Sequence, residues 1–163
     1  MTAESMIAAR ESPQRSESSA RTPGFLIRLM QHHPLSARTR LGPEDGAAYQ
    51  FAQGLRAATI ERRLRAVWTH PANELAGLPK DTPRRFLLRA AIARALGLIT
   101  GTSDYLFLWD AGSMVIEFKS DTGRLTAEQR DFRDWCAAAG VPFHVVRSSG
   151  EGLALLRSAG VLS

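Results

Sequence analysis

The chain is poor in the residues that staple or anchor a fold. It has one cysteine, Cys136, in 163 residues. An internal disulfide is therefore excluded, and so is a thiolate metal cluster. A reducing compartment is the expected setting. With no helix-start or histidine context to activate it, Cys136 reads as a packing residue. No apolar run approaches the roughly 18 residues that a membrane-spanning helix needs. Glu4, Arg10 and Glu11 interrupt any signal-peptide core near the amino terminus. A soluble, cytoplasmic protein is expected. There is no internal repeat and no zinc-type spacing, and His32-His33 has no acidic partner nearby in sequence.

What is present is ordinary globular material with a basic balance. Hydrophobic residues make up 44% and charged residues 23%, enough for one domain with its own core. Lys and Arg outnumber Asp and Glu by 21 to 16, which gives a net charge of +5. That excess favours a polyanionic partner, because basic side chains release counterions when they meet phosphates. Residues 1–41 differ from the rest. The polar run from Glu11 to Ser19 buries too little apolar surface to offset its ordering entropy. A mobile amino-terminal arm is expected there, interrupted by the apolar patch Phe25 to Met30, with the domain proper over 42–163.

Start and stop signals divide the domain. Gly42-Pro43-Glu44-Asp45 opens a helix, with proline and acids in its first turn. The stripe Phe51, Leu55, Ile60 and Leu64 carries it to about Arg65. Val67 to His70 reads as a short strand, Pro71 to Glu74 as its end, and 75–82 as a loop. Thr82 caps a second helix with Pro83 at its first position, stopping at Gly97. Strands over 104–109 and 114–119 flank a hairpin turn with a glycine able to take positive φ. Thr126 to Gln129 is a capping box for a helix ending at Gly140, on which Phe132 and Trp135 read as core. Trp68 and Trp109 read as core or sheet-edge residues. A strand over 142–146 and a short helix over 149–159 complete the chain. The expected class is α/β, a small central mixed sheet flanked by helices, with the hairpin at its centre.

The hairpin also carries the chemistry. Side chains at i and i+2 of a strand share a face, so Glu117 and Lys119 project together while Ile116 and Phe118 face apolar packing. A bend at Asp104 brings a second carboxylate towards Glu117. Two carboxylates form a hard oxygen site suited to Mg²⁺ or Mn²⁺. Taken alone, Asp…Glu-x-Lys is a common pattern, and an exposed Glu–Lys pair is its ordinary meaning.

The surrounding residues narrow the choice. Gly97 to Tyr105, then Ile116-Glu117-Phe118-Lys119, then Gly123 to Gln129, then a helix and Gly140 to Arg147 together resemble the virus-type replication-repair nuclease (VRR-NUC) domain of the PD-(D/E)xK superfamily. His70-Pro71-Ala72-Asn73 is similar to an upstream segment of that family, in altered form. The resemblance spans roughly 44–157. It implies a restriction-endonuclease-like core, Asp104 and Glu117 as metal ligands, Lys119 as the catalytic lysine and Gln129 near the metal. Gln129 also reads as the capping-box partner of Thr126. The family carries an acid on its first helix. Glu44 is the best match, with Asp45 and Glu61 as rivals, and a helix-start acid serving the dipole is its other meaning. Between Asn73 and Arg84 the chain departs from the family: Glu74 to Lys80 replaces a glycine-rich basic segment.

The resemblance implies a Mg²⁺-dependent DNA endonuclease, with Mn²⁺ able to substitute, in which Lys119 supports the attacking water. Arg84, Arg85 and Arg124 would track the phosphates, and His70 would line the site. Stand-alone members of the family resemble viral or prophage nucleases acting on branched DNA as dimers. That implies a homodimer and a junction or flap substrate, in a bacterial cell or phage-infected host. Two rivals stand beside this expectation: a non-catalytic DNA-binding or assembly protein that retains the fold, and a small regulatory module that uses the arm as its contact.

Overall fold

The computed structural model describes residues 24–31, 34–36, 38–71 and 83–163. Expectations for the polar run in the arm, His32-His33, the 75–82 loop, the Thr82 cap and the altered Ala72-Asn73 lie outside the described residues, and so does the side chain of Arg85. Helix α1 (Gly24–Met30) forms from the apolar patch of the arm and lies beside α2 (Pro43–Ile60). Strand β1 (Val67–Thr69) and helix α3 (Arg84–Ala95) come next. Then come β2 (Tyr105–Trp109), β3 (Gly112–Phe118), α4 (Ala127–Ala138), β4 (Phe143–Val146) and α5 (Ser149–Ser158). No helix among the described residues is long and apolar enough to cross a membrane.

The architecture is α/β. Four strands form one mixed sheet in the order β1-β2-β3-β4. The first three pair antiparallel, and β4 runs parallel to β3. A parallel neighbour needs a crossover rather than a tight turn, and α4 supplies it. Helices α2 and α5 pack on each other, α2 against β3 and α5 against β4. The core between them is aromatic. Phe51 of α2 meets Tyr105 at 5.1 Å and Phe118 at 5.2 Å between ring centroids. Gly152 of α5 lets that ring approach, since a Cβ there would sit 2.8 Å from Phe51 Cε2.

Several local expectations are corrected. Helix α2 stops at Ile60, five residues early, because Arg62 adopts φ 58° and turns the chain. Ala58 therefore takes the buried position, Ile60 is exposed, and Leu64 pairs with Leu162 in an isolated bridge. The hairpin turn is the two-residue Asp110-Ala111 connection between paired Trp109 and Gly112. Gly112 lies outside the left-handed region; its use is a close approach, since a Cβ would lie 3.0 Å from the Trp109 ring. Trp135 is 60% exposed rather than in the core, because the buried face of α4 belongs to Cys136. Trp68 and Trp109 are half-buried against the core.

Candidate active site

Strand β3 has a property that strands of small sheets seldom show: both of its faces are buried. Met114, Ile116 and Phe118 enter the aromatic core. On the other face Glu117 is 1% exposed, and Lys119, just past the strand end, is 6% exposed. Ionised groups are costly to bury unless they are paired, and here they are. Lys119 Nζ donates to Glu117 Oε1 at 2.5 Å, to Glu44 Oε1 at 3.2 Å and to the Phe118 carbonyl at 3.1 Å. All three ammonium protons are thereby engaged.

Each partner is set by its own element. Glu44 stands in the first turn of α2, and its second oxygen accepts from the Ser120 backbone N–H at 3.4 Å. Its rivals are engaged differently: Asp45 lines a cavity with Tyr49 and Arg56, and Glu61 pairs with Arg63. Asp104 precedes β2, and its Oδ2 accepts from the Phe118 N–H at 2.7 Å, which ties the two antiparallel strands together beside Glu117. The loop before Asp104 turns on Gly101, at φ +87°, where a Cβ would lie 2.5–2.7 Å from Glu128 atoms at the start of α4. Only glycine fits that turn and that contact.

Gln129 holds two positions at once. Its Oε1 accepts from Thr126 N while its backbone N–H donates to Thr126 Oγ1, completing the capping box. Its Nε2 donates to Glu117 Oε1. The helix start thus clamps the buried carboxylate. Arg147, for which sequence alone suggests no role, donates to the carbonyls of Ser120 and Gly123 and braces the loop that leaves Lys119. The only signal for it in the sequence is a short polar loop whose carbonyls need a donor.

The electrostatics stem from burial. Desolvation, then repulsion from Asp104, pushes the Glu117 carboxyl up to about 7 against the pull of Lys119. Asp104 is raised as well, chiefly by burial, opposed by the Phe118 N–H and the charges of Lys119 and His70. Burial pulls the Lys119 ammonium down, but the bonds and charges of Glu117 and Glu44 outweigh it and hold it above its ordinary value. One atom is left over. Glu117 Oε2 is buried and has no hydrogen-bond partner among the described residues.

That orphan oxygen bears on the expected metal. Among the described residues no three His, Cys, Asp or Glu side chains form a ready-made cage. Mg²⁺ does not require one: it is commonly held by one or two carboxylates, with water and substrate phosphate completing the shell. Asp104 and Glu117, one carrying a buried oxygen that lacks a donor, have the chemistry to fit such an ion.

A comparison with known families bears on this geometry. The VRR-NUC domain family model matches residues 65–150, just over half of the chain. The chain belongs to the VRR-NUC family. No curated protein and no solved structure matches it. VRR-NUC domains are generally nucleases, and the small mixed sheet flanked by helices is consistent with their restriction-endonuclease-like fold. The matched VRR-NUC span contains Asp104, Glu117, Lys119 and Gln129; Glu44 lies outside it and reaches the cluster through α2.

The remaining expected residues are placed less centrally. Arg84 is exposed at the start of α3, and Arg124 is exposed in the loop before α4. His70 is exposed just past β1, with its ring edge-on to Tyr105 at 5.0 Å. None of the three touches the carboxylate–lysine cluster through a hydrogen bond.

Proposed function

We propose that this VRR-NUC chain is a metal-dependent DNA endonuclease that hydrolyses phosphodiester bonds in branched or structured DNA. The observation that carries the reading is the buried Glu117, with one oxygen unpartnered and the other held by Lys119 and Gln129. A purely structural ion pair would satisfy both oxygens, because an unpaired buried acceptor costs roughly 1–3 kcal/mol.

Asp104 and Glu117 would hold Mg²⁺ or Mn²⁺, with Glu44 as the acid that α2 adds. When bound, such an ion polarises the phosphate and acidifies water. The protein's own groups do the rest. Lys119 keeps its proton and presents positive charge where charge builds on the phosphate, and on releasing the 3.2 Å bond to Glu44 it would have one N–H to orient the attacking water. Gln129 holds Glu117 in one rotamer. Glu44 fixes Lys119 from the opposite side, so the amine is preorganised rather than searching. Arg84, Arg85 and Arg124 supply backbone contacts without base readout, and His70 lines the approach. The assembly we propose is a homodimer, with a junction or flap as substrate.

The experiment is a divalent-metal assay on linear, flapped and four-way DNA, with Asp104→Asn and Lys119→Ala beside the wild type. Cleavage should require Mg²⁺ or Mn²⁺ and fall by about 10²–10³ or more in either variant, with folding and DNA binding retained. Equal cleavage by all three proteins would remove the catalytic assignment. Tight binding with no cleavage of any form would leave a non-catalytic DNA-binding protein.

A further inference from the structure

A cavity of about 480 Å³ lies between α2 and β1, lined in part by Asp45 and Tyr105, the residues that follow Glu44 and Asp104 in the chain. We infer that it receives one unpaired base of the DNA strand next to the phosphate that is cut. This inference rests on the nuclease reading and gives it a reason to prefer strands that are not fully paired.

The lining carries the inference. Tyr49, Trp68, His70 and Tyr105 supply aromatic surface, and Arg56 and Asp45 supply one cation and one anion. The rings are fixed before anything binds. Trp68 Nε1–H donates to Thr59 Oγ1 at 3.1 Å, and the Tyr105 hydroxyl donates to the Ala48 carbonyl at 3.0 Å. Their polar atoms are spent; Tyr105 is buried and forms the floor, and the half-buried Tyr49 and Trp68 offer apolar ring surface. Arg56 is the converse case: its Nε is buried and has no hydrogen-bond partner among the described residues.

Charge selects the ligand. Arg56 and Asp45 cancel, so the lining does not favour a free phosphate. A neutral heterocycle with donors and acceptors on its edge meets both groups, and its faces meet the aromatics. That is the general way in which proteins hold splayed-out bases. Pockets of this volume commonly take small organic ligands.

Position ties the cavity to the cut. Asp45 follows Glu44, whose carboxylate bonds Lys119 at 3.2 Å, and the His70 ring stands 5.0 Å from that of Tyr105, the residue after Asp104. Leu35 and Leu41 close one side, held by the Leu35 N–H bond to the Tyr49 hydroxyl at 3.3 Å. A base seated here therefore lies within a nucleotide or two of the metal-ligand candidates.

The test walks a single abasic nucleotide along the unpaired strand of a flap substrate and measures cleavage by the full chain. One position should lose about tenfold in kcat/KM, the size expected for one lost stacking contact. Arg56→Met and His70→Ala should blunt the penalty at that position only. His70 is exposed, so its variant stays informative if Arg56→Met folds poorly. In parallel, Asp104→Asn protein binds the same strand carrying 2-aminopurine at each position in turn. Fluorescence should change at the position picked out by the abasic walk. Cleavage that is indifferent to every abasic position, with no responsive aminopurine, overturns the base pocket and leaves the nuclease reading standing. A position-specific aminopurine response that Arg56→Met abolishes, in a protein that cuts nothing, upholds the pocket and overturns the nuclease.

Discussion

Helices α2 and α3 are both amphipathic by spacing, and only one is built into the core. In α2, Phe51, Leu55 and Ala58 recur at helical intervals and are buried under α5 and the sheet. Leu88 and Ile92 in α3, with Leu96 just beyond it, recur at equally good intervals. They remain 60%, 49% and 84% exposed, while Ala90 is buried. Periodicity identifies a helix face; it does not say what covers that face. The functional division tracks the packing. The locked helix delivers Glu44 to Lys119 with fixed geometry, while the helix on the outside presents Arg84, Arg89 and Arg94 to solvent.

The largest expected effect comes from breaking the locked side. Phe51→Ala should cost about 3–5 kcal/mol, since it empties a fully buried aromatic site shared by α2, β2 and β3. Urea unfolding would measure it, and a loss under about 1 kcal/mol would mean that α2 is not the anchor described. Cleavage by any folded remainder should fall too, because Glu44 reaches the cluster only through that helix.

This division also sets how much could be read from the sequence. The hairpin, the shared face of Glu117 and Lys119, and the Thr126–Gln129 box were legible because they depend on neighbours two or three residues apart; the burial of that face was not, since other elements cover it. For the helix acid the resemblance favoured Glu44, the one that bonds Lys119, but spacing alone did not separate it from its rivals. Glu44, Asp45 and Glu61 differ in how α2 is rotated and where it ends, and tertiary contacts set both. The early stop at Ile60 depends on Arg62 turning to positive φ, which no local pattern announces. Trp135 misled because an aromatic at helical spacing is apolar enough for a core that other residues had already filled. The cavity of Arg56, Trp68 and Tyr105 draws on three separate elements, so no single stretch of sequence displays it.

A second test uses pH, and only the locked side contains the groups it needs. The Glu117 carboxyl, at about 7 when folded against an ordinary 4.5, binds a proton more readily in the native state. Its contribution to stability is therefore full below about 4.5 and is lost as pH rises through about 7. Asp104 is displaced in the same direction. In EDTA the wild type should lose on the order of 2 kcal/mol between pH 5 and pH 8. Glu117→Gln should flatten that decline and be the more stable protein at pH 8, while its cleavage is lost. A stability curve for Glu117→Gln that parallels the wild type would show that Glu117 is not the strained group.

Glu44→Gln should have a smaller effect, because it keeps the shape of the α2 contact and removes one charge of three around Lys119. A drop of about tenfold in cleavage is expected, with stability changed by under about 1 kcal/mol, since the Glu44 side chain is 41% exposed. Cleavage at wild-type level would return Glu44 to the role of a helix-start acid.

The smallest effects belong to α3. Ile92→Lys replaces a half-exposed side chain on the outer helix, so stability should move by no more than about 0.5 kcal/mol. Binding is where α3 should register. Arg84→Ala combined with Arg89→Ala removes two exposed cations from one helix. If both meet phosphates, affinity should weaken alike for all sequences, and the slope of log K against log salt should become shallower by about 2. An unchanged salt slope would take α3 out of the DNA path. A stability loss for Ile92→Lys comparable to that of Phe51→Ala would erase the contrast between the helices, because it would mean that the stripe on α3 is covered after all.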